Sequence, residues 1–134
     1  MGELDYLIVD LPPGTSDAPL TVMQALQMDG FVVVTTPQSL AVLDAKRSIN
    51  MVRKMNVNIL GVVENFSGDV FGRGAGEKLA KEMEIPFLGH LELRADYQQE
   101  DRPTVLASQI VSEEYAQIVV SLQRELEAVA EPAS

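Results

Sequence analysis

Leu4-Asp5-Tyr6-Leu7-Ile8-Val9-Asp10 runs directly into Leu11-Pro12-Pro13-Gly14-Thr15-Ser16-Asp17. These first seven residues hold the apolar run Tyr6-Leu7-Ile8-Val9, β-branched at Ile8 and Val9 and too continuous for a strand with one wet face, and they predict a central strand of a parallel sheet. Pro12, Pro13 and Gly14 stop that strand, and Ser16 or Asp17 can cap a helix over 18–28. In an open parallel sheet ligands gather beyond the carboxyl ends of the strands, so the acid that closes this run is a candidate site residue. Asp10 there can hold magnesium, directly or through water. Gly14 can bring a bare backbone N–H up to a terminal phosphate, where a side chain would obstruct the approach. A strand end followed by a Pro-Gly turn that caps a helix explains the same residues without chemistry, and both readings stand at this point.

Strand and helix then alternate. Phe31-Val32-Val33-Val34-Thr35-Thr36, ended by Pro37, reads as a second buried strand, and 39–55 as a helix with Leu40, Leu43, Ile49, Val52 and Met55 at helical spacing. Residues 57–64 read as strand, 74–84 as helix and 87–91 as a short strand reached through Pro86. Gly72-Arg73-Gly74-Ala75-Gly76 is read as the flexible lead into the 74–84 helix, not as a phosphate loop. A polar stretch over 97–102 precedes a closing amphipathic helix over 112–129. The fold class is therefore α/β, a mostly parallel sheet flanked by helices, occupying 1–130 as part of one domain, with 131–134 a frayed tail.

Composition narrows the functions. Ten basic against twenty acidic residues give a formal charge of -10 in 134 residues. That leaves no clustered Lys/Arg surface for nucleic acid or an anionic membrane. No apolar run reaches the roughly 18 to 20 residues needed to cross a bilayer, and the N-terminus has no signal-peptide pattern, so a cytoplasmic location is expected. The chain has no cysteine, which rules out disulfides and thiolate ligation of zinc or an iron-sulfur cluster by these residues. The lone His90 has no second ligand candidate nearby and is assigned no role.

Several short motifs in order carry a resemblance. The 4–15 stretch is followed by Thr35-Thr36-Pro37-Gln38, Leu43-Asp44-Ala45, Val63-Glu64-Asn65-Phe66-Ser67, Phe71-Gly72 leading to Gly76-Glu77-Lys78, and Pro86-Phe87-Leu88-Gly89. Over residues 3–107 this resembles the Mrp family of P-loop ATP-binding iron-sulfur cluster carriers, related to the MinD and ParA ATPases. The resemblance implies a MinD-like P-loop NTPase fold, incomplete at its N-terminus, and a homodimer that binds ATP and Mg2+, carries an iron-sulfur cluster and delivers it to apo iron-sulfur proteins. It implies that Asp10 is the acid near magnesium and that Gly14, Thr15 and Asp17 belong to the switch that senses the γ-phosphate, with Ser16 where glycine is usual. Asn65 corresponds to the residue that reads the adenine edge, since a side-chain amide offers a donor and an acceptor. Gln38 and Asp44 correspond to positions beside the nucleotide. Asp44 reads equally well as a solvated helix residue, and Asn65 as a strand-end turn residue.

The chain departs from that pattern in three places. No Gly-x-x-x-x-Gly-Lys-Ser/Thr occurs, which removes the amides and the lysine that would cradle the phosphates. The chain is therefore expected to be the C-terminal part of a P-loop domain, inactive alone. Between Gly68 and Val70, where the family usually inserts a segment with Cys-x-x-Cys, only Asp69 stands. Glu92 and Arg94 occupy positions where proline and aspartate are usual. A non-catalytic interaction or regulatory module that has lost the P-loop and the cluster ligands is the alternative function. A cargo-positioning partition ATPase is a third, disfavoured by the acidic closing helix.

Overall fold

The computed structural model describes residues 3–12, 17–98 and 101–130, with 17–20 described by backbone alone. Helix α1 spans Asp17–Ala25, strand β1 Phe31–Thr35, helix α2 Ser39–Lys54, strand β2 Ile59–Ser67, helix α3 Ala75–Glu82 and strand β3 Phe87–Glu92. A turn of 3₁₀ helix at Ala95–Gln98, a short helix α4 at Thr104–Ala107 and the long helix α5 at Gln109–Ala130 complete the order. The three strands form one parallel sheet in the order β1-β2-β3.

Alternation along the strands explains why both faces of the sheet are covered. Val33 and Val62 point into a core with Ala45 and Ile49 of α2 and Leu79 and Ala80 of α3. Their neighbours Val32 and Val63 point to the opposite face, where Leu88 and Leu91 pack against Ile118 and Leu122 of α5. A parallel sheet wedged between helices is apolar on both faces, so β1 and the first half of β2 read as near-continuous apolar runs, not as alternating polar and apolar residues. Helix α2 presents Ala45, Ile49 and Val52 at helical spacing and ends with Arg53 and Lys54 in its last turn, where positive charge suits the helix dipole. Gly89 lets α5 lie close on β3, because a Cβ there would stand 2.8 Å from Ile118 Cγ1.

The sheet, the two layers and the flanking helices agree with the α/β reading. The expected central strand does not. Residues 4–10 form no strand and are exposed along their length, with Ile8 86% exposed. A parallel strand needs hydrogen-bonded neighbours and a layer on each face, and among the described residues no strand pairs with this segment. Its described tether is the Tyr6 hydroxyl, which accepts a hydrogen bond from Gln123 Nε2 of α5 at 3.3 Å. Boundaries differ as well. The first helix ends at Ala25, β2 starts at Ile59 and runs on to Ser67, and the closing helix begins at Gln109. Of the stretch read as polar loop over 97–102, Tyr97 and Gln98 belong to the 3₁₀ turn, 101–102 precede α4, and 99–100 lie outside the described residues.

Candidate functional site

The parallel sheet places the ends of β1, β2 and β3 on one rim, and the end of β2 is irregular there. Glu64 pairs with His90 and Ser67 with Glu92, so three steps along β2 oppose two along β3. The extra residue makes a β-bulge over Asn65 and Phe66, with Phe66 in the left-handed region at φ 57°. Bulges of this kind bend a strand and re-aim a side chain, and they concentrate next to functional sites.

Glu64 closes the bulge from below. It is 2% exposed, and its carboxylate accepts hydrogen bonds from the Ser67 hydroxyl, from the Gly74 N–H at 3.3 Å and from the Gly76 N–H at 2.7 Å. The last two donors belong to the start of α3, so one side chain ties the end of β2 to the first turn of the next helix, where backbone N–H groups lack partners within the helix. Gly76 has to be glycine for this approach, since a Cβ there would meet Glu64 Cβ at 2.8 Å. The Gly-rich lead into α3 thus has a packing reason in addition to flexibility.

Beyond the bulge the chain folds back as a small hairpin. Gly68 and Gly72 exchange backbone hydrogen bonds of 2.9 and 2.7 Å, and the Phe66 and Phe71 rings lie 6.3 Å apart. An ion-pair chain anchors the hairpin. Arg73 pairs with Asp69 at 3.5 Å and with Glu92, Arg94 pairs with Glu92 and with Glu114 of α5 at 3.1 Å each, and Glu114 also accepts the Glu92 N–H at 3.2 Å. The hydrogen bond to Glu92 chiefly, and the charges of Glu92 and Asp69, raise the Arg73 pKa above its ordinary value. Asp69, Glu92 and Arg94, three residues at which the sequence departs from the resembled pattern, therefore belong to one network. A cleft of about 200 Å³ lies alongside, lined by Glu64, Ser67, Arg73, Gly74, Glu77, Phe87 and His90.

The predicted site residues divide between this rim and elsewhere. Asn65 stands on the bulge, half-buried, its Oδ1 accepting the Phe66 N–H at 3.0 Å. No described group accepts a hydrogen bond from its Nδ2. Gln38 caps α2 just past the end of β1, and its Oε1 accepts a hydrogen bond from the Thr36 hydroxyl at 3.3 Å. Pro37, next to it, approaches the hairpin at Gly72, so the β1 and β2 ends share one rim. Asp44 lies six residues further along α2, roughly 9 Å down its axis. It is exposed and paired with Arg47 at 3.5 Å.

Asp10 is exposed at the end of the irregular 4–10 segment. Asp17 opens α1, while Gly14, Thr15 and Ser16 lie outside the described residues. Among the described residues no three His, Cys, Asp or Glu side chains are grouped to hold a metal, and no helix is long and apolar enough to cross a membrane. Glu64, Ser67 and Gly76 are not site candidates on sequence grounds. The available signal is an acid closing the otherwise apolar run 59–63, with a hydroxyl three residues later.

The chain is similar to proteins already known. Residues 1–127 match the model of a family described as ParA: NUBPL iron-transfer P-loop NTPase. A Methanocaldococcus jannaschii iron-sulfur cluster carrier protein is 44% identical over 140 residues, covering 94% of this chain and 48% of that protein. A nucleotide-binding protein of Archaeoglobus fulgidus, solved in complex with ADP, is 31% identical with a TM-score of 0.62, covering 98% of this chain and 49% of that one. The Pyrococcus furiosus cell division ATPase MinD superposes with a TM-score of 0.71 at 22% identity, over 94% of this chain and 53% of its own, a likeness of fold. This chain spans about half the length of each of these three proteins.

Proposed function

Because this chain belongs to the NUBPL family of iron-transfer P-loop NTPases, we propose that it supplies the base-side and switch-side half of an ATP site in an iron-sulfur cluster carrier. The observation that carries the reading is the bulge at the carboxyl end of β2, which leaves the Asn65 amide with a free donor on the rim where an α/β sheet takes its ligands. The ADP complex of the 31% identical relative, which 98% of this chain covers, supports a nucleotide as that ligand.

The fit to a nucleotide is one-sided. Asn65 offers its free Nδ2 donor to a base edge while Oδ1 accepts the Phe66 N–H, and Gln38 stands on the same rim. Asp10, an exposed carboxylate, is of the kind magnesium prefers, and Gly14, Thr15 and Asp17 are proposed to couple the γ-phosphate to a homodimer interface. A bound magnesium nucleotide would supply a reactive phosphoryl group, for which a protein contributes positioning and charge. The amides and the lysine that neutralise the phosphates are proposed to come from residues outside these 134.

The iron-sulfur cluster is cargo on this reading, passed to apo iron-sulfur proteins. These residues do not fit it as ligands, since they contain no cysteine. The M. jannaschii relative aligns 140 residues with 94% of a 134-residue chain, so it carries about 14 residues that are absent here. We place those residues at the Gly68–Gly72 hairpin as part of this proposal, and thiolates for the cargo would have to come from elsewhere. An interaction module that has lost nucleotide chemistry is the second reading, and the ion-paired hairpin in the place of a ligand loop favours it.

Magnesium titrations of ATP binding to the full-length protein test the proposal. Asp10→Ala should weaken the magnesium dependence while binding without the metal persists. An unchanged magnesium dependence would remove Asp10 from the site.

A further inference from the structure

We infer that Glu64 is a positioning residue for base recognition, a buried clamp that holds the 65–66 bulge in shape and so aims the Asn65 amide; the inference rests on the nucleotide reading above. Three observations converge on it. The bulge is a costly conformation, because Phe66, which has a Cβ, sits at φ 57° with no glycine to relieve it. Such a conformation persists only where its surroundings hold it. The residues at its two ends, Glu64 and Ser67, are 2% and 1% exposed and are hydrogen-bonded to each other across it, so the clamp sits under the two residues it shapes.

The same carboxylate is held from the other side by the Gly74 and Gly76 N–H groups, so it is fixed to α3 and cannot follow a drifting strand end. Its partners all donate and it only accepts. At the bulge itself, the Phe66 N–H holds Asn65 Oδ1 at 3.0 Å, which fixes the amide plane and leaves Nδ2 without a described acceptor. The chain of cause runs from α3 through Glu64 to the bulge and from the bulge to Asn65.

Glu64→Gln tests this with little change of shape. Its amide NH2 group must face donors that the carboxylate accepted from, either at Ser67 and Gly74 or at Gly76, so at least one tie is lost. The test measures the affinities of the full-length protein for ADP and for inorganic tripolyphosphate, alongside the thermal melt. Glu64→Gln should weaken ADP about tenfold, the worth of one well-placed hydrogen bond to the base, and leave tripolyphosphate unchanged. Asn65→Ala should do the same.

If Asn65→Ala weakens ADP and Glu64→Gln does not, the clamp is not what positions the amide and the inference fails. Equal losses for ADP and tripolyphosphate in Glu64→Gln would make Glu64 a general stabiliser and also overturn it. If Asn65→Ala leaves ADP unaffected, the base-reading role itself is wrong and the inference falls with it. Should Glu64→Gln not fold, Ser67→Ala removes only the hydroxyl across the bulge and should weaken ADP about threefold, again sparing tripolyphosphate; no change in ADP would count against the clamp.

Discussion

Lys46 and Glu82 join α2 to α3 by a hydrogen bond of 2.8 Å at the surface. That bond first, and the lysine charge second, hold the Glu82 carboxyl below its ordinary value of 4.5. A folded-state pKa lowered in this way stabilises the fold above the unfolded value, and the contribution is lost as pH falls through the lowered one. In an NMR titration Glu82 should therefore have a midpoint below 4.5, and Lys46→Met should move it up towards that value. No movement would mean that the pair does not persist in solution. At this scale the sequence is a partial guide. Asn65 and Gln38 are legible by motif and stand on the rim formed by the strand ends. Glu64 stays hidden because its role depends on Gly74 and Gly76, ten and twelve residues away, whose approach no local spacing reveals.

Elements that bury themselves within the described chain are legible, and the one that does not is misleading. Val32 and Val33 face opposite helical layers, so the continuous valine run of β1 means what it suggests. The run Tyr6 to Val9 is as apolar, yet hydrophobicity states only what a segment can bury, and no described strand pairs with it. The Gly-rich lead into α3 is legible as a helix start, but its spacing requirement is not. Gly76→Ala puts a methyl group 2.8 Å from Glu64 Cβ, and overpacking at a buried site costs about 1–3 kcal/mol. Urea denaturation should show a loss of that size. At Gly74 a Cβ would meet nothing within 4 Å, but the backbone sits at φ 90°, so any loss from Gly74→Ala would be backbone strain without a clash. A Gly76→Ala protein as stable as the parent would mean that α3 sits further from β2 than described.

For the molecule as a whole, the edge of β1 turned away from β2 has no partner among the described residues, and Leu4, Leu7, Ile8 and Val34 are each more than half exposed. Unpaired strand edges and contiguous apolar surface both favour association, although a charge of -10 opposes it at low salt. Size-exclusion chromatography with light scattering should find this chain self-associated, more so as salt rises. A stable monomer of 14.6 kDa with one cooperative unfolding transition would show that the exposed segment and edge are satisfied in solution.

The same open edge fits the proposal that the phosphate-binding part of the site lies outside these residues. Calorimetric titration of magnesium ATP into this chain, and into a form extended upstream to the next start, tests that claim most directly. Binding is expected for the extended form and not for the 134 residues alone. Comparable binding by both would contradict it by placing the phosphate contacts within this chain, and binding by neither would leave the interaction-module reading in its place.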